Sequence, residues 1–425
     1  MKTTIAFLLL FSNLYAAPLT LNDAIAMTLK SNPQTQAALL RIQSSQADTK
    51  AAKAALYAHI DLNGEYYPTK TVVMPSNGTF STRQTDAFHA DVSGSYSLWD
   101  FGRNDTMIQA SQHSQEGSVA DKKFVENSLI EQVWLQYTAI AYVEQLIDTA
   151  QKSAEFCQSQ YNQAVRMREV GLKTQADESR FKASWLEAND HHSAAQAQKA
   201  KALMALGLLI GSDTPVTIDQ ADFDRRVSAL SMVLENVPAL RQELSQSNPQ
   251  LQKLRMLISR DQAVSSAISK QPYGSVTLVG AYGYDNSLSS YDTSQIGVRA
   301  SIPLYDGGKL DADAQKSRIT LTLAQKEYEI TERELWQELY DTIIDLNRFD
   351  ETIAAKEGVM SATQKALSLM QGRYAQGLAT YIDILESQSV LENARIVHAD
   401  AKLQKIRSWV KIQRLLNKGN KNGML

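Results

Sequence analysis

Apolar and polar residues alternate with period two in four stretches of the chain. Ile60, Leu62, Gly64 and Tyr66 alternate with His59, Asp61, Asn63 and Glu65. Phe88, Ala90, Val92, Gly94, Tyr96 and Leu98 alternate with His89, Asp91, Ser93, Ser95 and Ser97. The same reading applies to Val276, Leu278, Gly280 and Tyr282, and to Ile296, Val298, Ala300, Ile302 and Leu304, whose other face carries Gln295, Arg299 and Ser301. Period two marks a strand with two unlike faces, so β-hairpins are predicted over 59–99 and 275–304.

Between these stretches the pattern changes to helix. Arg103 to about Val170 contains no proline and only Gly117; Lys309 to about Ala375 contains only Gly358 and Gly372. Each such helix, roughly 65 residues long, would reach about 100 Å. Val133, Ile140 and Ile147 recur every seven residues, as do Leu339, Leu346 and Ile353, with Leu129 and Leu335 as a second matched position. That spacing predicts coiled-coil packing. Shorter helices are predicted from about Leu21 to Tyr57, Thr174 to Leu209, Val237 to Ser269 and Thr380 to Leu416.

The two sets of elements are copies of one unit. Ser31-Asn32-Pro33-Gln34 recurs as Ser247-Asn248-Pro249-Gln250, and Gly64 as Gly280, both 216 residues later. Leu98-Trp99-Asp100-Phe101-Gly102-Arg103 matches Leu304-Tyr305-Asp306-Gly307-Gly308-Lys309, and Val170-Gly171-Leu172 with Asp177 matches Gln376-Gly377-Leu378 with Asp383, now 206 residues later. The offset drops by ten between Tyr66 and Phe88, so a longer loop is expected in the first hairpin. Asn77-Gly78-Thr79 within it reads as a turn. The expected organisation is a signal segment over 1–17, repeats over 18–210 and 237–416, a linker over 211–236 and a tail over 417–425.

Composition narrows the function. With 43 basic and 46 acidic residues the charge is balanced, so no global field recruits nucleic acid. The one cysteine, Cys157, allows no disulfide framework and is expected to be a small buried hydrophobe. Lys2, the apolar run Ile5–Phe11 and the small residues Ala16 and Ala17 form an export signal too short to span a bilayer, with no cysteine for a lipid anchor. No later run of about 18 apolar residues exists, so membrane insertion would have to use β-strands. His191-His192 has no third ligand nearby, Asp61, Glu65 and Asp91 form no catalytic pair, and no phosphate loop, nucleophile elbow or zinc signature is present. The expectation is a non-enzyme without metal or cofactor.

A sheet with one apolar and one polar face has two readings. It packs on an ordinary core with its polar face in water, or it meets lipid with its apolar face and lines a lumen with the other. Tyr66, Tyr67, Trp99, Tyr282, Tyr284 and Tyr291 lie near the predicted strand ends, which suits an interfacial aromatic girdle. Four strands cannot close a membrane barrel, whose smallest form has about 8, and open edges are not tolerated in hydrocarbon. A lipid-facing sheet must therefore be shared with further copies. A soluble periplasmic coiled-coil adaptor or scaffold is the alternative.

The duplicated strand–helix layout, the two Leu-(Trp/Tyr)-Asp corners and the Gly-Leu helix ends resemble the TolC-type outer membrane efflux proteins over essentially the whole mature chain. The resemblance implies a mixed α and β fold assembled as a homotrimer. A twelve-stranded outer-membrane barrel would continue into a long α-helical coiled-coil barrel in the periplasm of a Gram-negative bacterium. It implies an exit duct for efflux or type I secretion. Its partners would be outer membrane lipid, a periplasmic adaptor (membrane fusion) protein and an inner-membrane efflux or ABC transporter.

The helix ends are the candidate site. Gly171 and Gly377 suit the left-handed position after a helix. Thr174 with Asp177, and Thr380 with Asp383, have capping-box spacing, which leaves two readings of the aspartates open: caps for orphan N–H groups and the helix dipole alone, or acids with a functional role as well. Glu386 shares a helix face with Asp383 but lies beyond the first turn, and its repeat mate is Arg180. The resemblance implies that Asp383 and Glu386 ring a cation-selective periplasmic entrance, that Tyr374 contacts the neighbouring coiled coil at Asp177 in a closed state, and that the turns at Gly171, Leu172, Thr174, Gly377, Leu378 and Thr380 dock the adaptor. The basic residue expected two positions after the second glycine is Ala379 here.

Overall fold

The computed structural model describes residues 18–76, 78–213, 216–229, 237–286 and 290–418. The signal segment 1–17, Asn77 of the expected turn, part of the linker and residues 419–425 of the tail lie outside the described residues. The elements run α1 (Leu21–Ser31), α2 (Pro33–Ala54), β1 (His59–Ser76), β2 (Thr79–Trp99), α3 (Arg103–Glu169), α4 (Gln175–Ile210), α5 (Gln220–Ala229), α6 (Val237–Ser247), α7 (Pro249–Ser269), β3 (Ser275–Asp285), β4 (Tyr291–Ser301), α8 (Lys309–Ala375) and α9 (Tyr381–Leu415). The chain divides into two compact units. One holds the residues up to Ala37, Lys123–Asn248 and the residues from Arg333 on; the other holds Ala38–Lys122 and Pro249–Glu332.

The second unit contains one antiparallel sheet of order β1-β2-β3-β4. The duplication extends to its register. Ile60↔Gly94, Leu62↔Val92 and Gly64↔Ala90 in β1–β2 recur as Val276↔Ala300, Leu278↔Val298 and Gly280↔Ile296 in β3–β4. Every first partner has moved by 216 and every second by 206.

Two expectations are corrected here. The residues inserted between Tyr66 and Phe88 are not a loop; they extend the strands, so β1 and β2 are 18 and 21 residues long against 11 and 11 for β3 and β4. Thr71, Val72 and Val73 pair with Gln84, Arg83 and Thr82, and β-branched residues favour the pleat. A register shift between Tyr67 and Lys70 takes up the odd residue. Gly78 turns the hairpin with φ +78°. Tyr66 and Tyr67 therefore lie within β1, level with the β3–β4 turn, where the Phe88 N–H donates to Asn286 Oδ1 at 2.6 Å. At the other end, β4 stops at Ser301 rather than 304. Pro303 has no N–H to donate, and Leu304 and Tyr305 are left 94% and 90% exposed.

Both strand-to-helix corners are closed by an aspartate. Asp100 accepts from the N–H groups of Gly102 (3.0 Å) and Asn104 (2.7 Å); Asp306 accepts from those of Gly308 (3.0 Å) and Leu310 (2.6 Å). These satisfy orphan donors at the starts of α3 and α8. Phe101 holds φ +60° where its repeat mate is Gly307, and its ring packs between Trp99 and Tyr273.

The first unit is built on a helix core. Leu21, Ala24, Ile130, Val133, Trp134, Tyr137, Ile140, Leu206, Ile210, Phe223, Ile406 and Val410 form one buried cluster. On α3 this stripe runs at spacings of three and four; it keeps the expected seven-residue recurrence at Val133 and Ile140 and widens it with Trp134. Helices α1, α4, α5 and α9 all cover it, and Ile147 and Ile353, the last members of the heptad runs, are only half-buried. The helices expected over 21–57 and 237–269 are each two helices. Pro33 and Pro249 cannot donate within a helix and push the residue before them out of the α region; Asn32 has ψ 129°.

Both breaks perform the same task. Ser31 Oγ donates to Ile210 O (2.6 Å) and Asn32 Nδ2 to Leu209 O (3.3 Å). Ser247 Oγ donates to Leu416 O (3.0 Å) and Asn248 Nδ2 to Leu415 O (2.9 Å). The repeated Ser-Asn-Pro motif thus supplies the donors that the last carbonyls of α4 and α9 lack.

Candidate functional site

Helix ends of the first unit carry the candidate residues. After α3, Gly171 takes φ +78°, and after α8 Gly377 takes φ +74°, a region closed to most side chains. Gly171 N–H bonds to Arg168 O at 2.9 Å and Leu172 N–H to Met167 O at 2.8 Å; Gly377 and Leu378 bond to Tyr374 O and Arg373 O at 2.9 and 2.8 Å. These are paired Schellman closures, and they present Leu172 and Leu378 as exposed turns.

The returning helices start on reciprocal capping boxes. The Asp177 N–H donates to Thr174 Oγ1 at 3.2 Å, while Asp177 Oδ2 accepts from Thr174 N at 3.2 Å and Oγ1 at 2.9 Å. Asp383 repeats this with Thr380 at 3.3, 2.6 and 2.7 Å. Hydrogen bonds from the threonine favour the charged carboxylate. For Asp177 the backbone bond from Thr174 leads and the side-chain bond follows, holding its pKa below the usual aspartate value. For Asp383 the side-chain bond from Thr380 leads. Both aspartates are therefore caps, and both stay negative at neutral pH. Glu386 is exposed one helical turn beyond Asp383, while Arg180 is exposed at the matching place on α4.

Tyr374 and Asp177 do not share a hydrogen bond among the described residues. Tyr374 is buried with Ala164, Phe181 and Ile384, its ring edge-on to Phe181 at 6.4 Å. Phe181 in turn meets Tyr381 at 4.2 Å, whose hydroxyl pairs with Ser184 Oγ at 3.0 Å. The sequence carries no repeat signal for this aromatic contact between the α3–α4 and α8–α9 helix pairs, because Phe181 and Tyr381 have no repeat partner of like kind. Lys173, the repeat mate of Ala379, places Nζ 5.0 Å from the centre of the Tyr374 ring. The basic residue absent from the second turn is thus present in the first, which aligning Lys173 with Ala379 would have revealed.

Other candidates are structural. Cys157 is buried with Ala154 and Ala188. Among the described residues, no group of three or more potential metal ligands converges, and His192 sits 3.3 Å from Gln196 on its own helix. No described helix is long and apolar enough to cross a membrane.

The family profile described as "Outer membrane efflux protein" matches the chain twice, over residues 24–212 and 240–418. The probable efflux pump outer membrane protein TtgC of Pseudomonas putida is 22% identical over 410 residues, 94% of this chain and 83% of that protein. The alkaline protease secretion protein AprF of Pseudomonas aeruginosa is 20% identical over 431 residues, 96% of this chain and 86% of that protein. Among solved structures, that of CusC superposes with a TM-score of 0.81 at 17% identity, covering 93% of this chain and 91% of the other. At such identities the structural likeness speaks for the fold.

Proposed function

Since the chain belongs to the outer membrane efflux protein family, we propose that it is one subunit of a homotrimeric exit duct. Three copies of the four-stranded sheet make a twelve-stranded barrel in the outer membrane, and the long helices make a coiled-coil barrel in the periplasm. The mature chain starts after residue 17, with repeats over 18–210 and 237–416. The duct moves solutes passively, supplied by an inner-membrane efflux pump or ABC transporter through a periplasmic adaptor that docks at the Gly171–Thr174 and Gly377–Thr380 turns.

The observation that carries this reading is a bare apolar sheet face between two open strand edges. Ile60, Leu62, Tyr66, Val92, Tyr282, Ile296 and Val298 are all exposed, and β1 and β4 each have one neighbour. An adaptor or scaffold in water would bury that face. From Phe88 to Trp99, β2 spans about 37 Å at roughly 3.4 Å per residue. Tilted at about 40°, as barrel strands are, that is about 28 Å, close to the hydrocarbon thickness of about 30 Å.

Asp383 and Glu386 would place six carboxylates around the threefold axis at the periplasmic end, a field that draws cations and repels anions. The test is conductance in planar bilayers. Asp383→Ala with Glu386→Ala is expected to reduce cation over anion selectivity severalfold; an unchanged reversal potential would remove these residues from the entrance.

A further inference from the structure

The duplication contains the geometry of the joint between two copies of this chain. In the sheet order β1-β2-β3-β4, the β2–β3 seam joins the second strand of one repeat to the first strand of the other. When copies meet edge to edge, β4 of one and β1 of the next are again a second strand beside a first strand. The two seams are therefore equivalent. The offsets that relate them are the ones that superpose the β1–β2 register on the β3–β4 register.

Applying them to β2–β3 gives a register for the joint. Gly94↔Gly280 becomes Ala300↔Gly64, and Val92↔Tyr282 becomes Val298↔Tyr66. The second translation keeps the chemistry, a β-branched residue opposite tyrosine on the apolar face, a pair that stabilises adjacent strands. Between these lies Ser93↔Ala281, which becomes Arg299↔Glu65. Within the chain this position on the polar face carries a hydroxyl and a methyl group; between chains it carries opposite charges. Arg299 is exposed and makes no ion pair among the described residues. Glu65 is likewise exposed, and its carboxylate accepts from the Tyr67 hydroxyl at 2.8 Å.

We infer that β4 of one copy pairs antiparallel with β1 of the next in the register Ala300↔Gly64, and that an Arg299–Glu65 ion pair across this seam selects it. A slip of two residues keeps the apolar face outward but separates the charges, and a slip of one turns the apolar face inward. The charge pair is what distinguishes the correct register from the two-residue slips, which the face pattern alone tolerates.

This rests on the trimeric reading, and the experiment separates the two. Cysteines are placed at Gly64 and Ala300 in a Cys157→Ser background and oxidised in the membrane. Directly opposed residues lie about 4.5–5.5 Å apart at Cα, within disulfide range, so covalent dimers and trimers are expected in denaturing gels. The pairs Leu62→Cys with Ala300→Cys and Tyr66→Cys with Ala300→Cys, two residues out of register, are expected to link at least tenfold less. Preferential linkage of a slipped pair overturns the register while the trimer stands. Absence of all linkage in a protein that light scattering shows to be trimeric overturns the seam; a single-chain mass removes the trimer itself. Arg299→Glu and Glu65→Arg are each expected to lower the temperature at which the trimer dissociates in detergent, and the double swap to restore it. Singles that leave this temperature unchanged overturn the ion pair.

Discussion

Cys157 shows how far a single side chain is governed by its surroundings. Burial between Ala154 and Ala188 disfavours the thiolate and pushes the thiol up to about 11, and the thiolate is the reactive form. The native protein is expected to resist thiol reagents at pH 8 and to react stoichiometrically only in denaturant; rapid labelling of the folded protein would contradict this burial. The capping aspartates behave in the opposite sense. Their folded pKa values lie below the unfolded ones, so the stabilisation is present above the ordinary aspartate value of about 3.9. It disappears as pH falls through the folded values. Hydrogen exchange at residues 174–178 and 380–384 should accelerate as pH drops below about 4, after correction for intrinsic rates. Asp383→Asn is expected to show that faster exchange already at pH 7 in its own turn and to leave the Asp177 turn unchanged.

At the scale of elements, the two Ser-Asn-Pro breaks are the parts whose role is least visible from their neighbours in the chain. Each asparagine donates to the end of a helix more than 150 positions away in sequence. Removing a donor to a buried carbonyl leaves that group unsatisfied, at about 1–3 kcal/mol. Asn248→Ala is expected near the upper part of that range, since its bond is buried and 2.9 Å long. Asn32→Ala is expected lower, with a bond of 3.3 Å that is partly exposed. Denaturant unfolding followed by fluorescence of Trp134 and Trp409, which pack on each other at 5.6 Å, reads the difference. Equal effects would show that the two motifs are energetically interchangeable despite their geometry.

The whole molecule depends on what covers the apolar face of its sheet. If lipid does, a charge on that face should be excluded where the same charge on the other face is accepted. Val298→Lys near the bilayer midplane is expected to cost about 2–4 kcal/mol and to deplete the protein from the outer membrane fraction. Gln295→Lys, on the opposite face of the same strand, should assemble normally. Equal assembly of both variants would mean that the apolar face does not meet lipid.

The chain by itself determined the features that are periodic or repeated. Alternation with period two separated the sheet faces, glycine followed by threonine and aspartate located the helix turns, and constant offsets exposed the duplication. Each of these is set by residues close together or by copies of one pattern. The structure decided what depends on pairing distant residues. The residues inserted after Tyr66 have no periodic signal of their own, and they became strand because β1 and β2 satisfy each other's backbone. The α3 stripe widened beyond a heptad seam because α1, α4, α5 and α9 converge on it. Asn32 and Asn248 stand inside the helices expected over 21–57 and 237–269; only folding brings them to the carbonyls they serve. Phe181 and Lys173 reached Tyr374 because the tertiary fold packs the α3–α4 and α8–α9 turns together. Local composition restricts each segment's conformation, whereas the partner of a side chain hundreds of residues away is chosen by the packing of the whole chain.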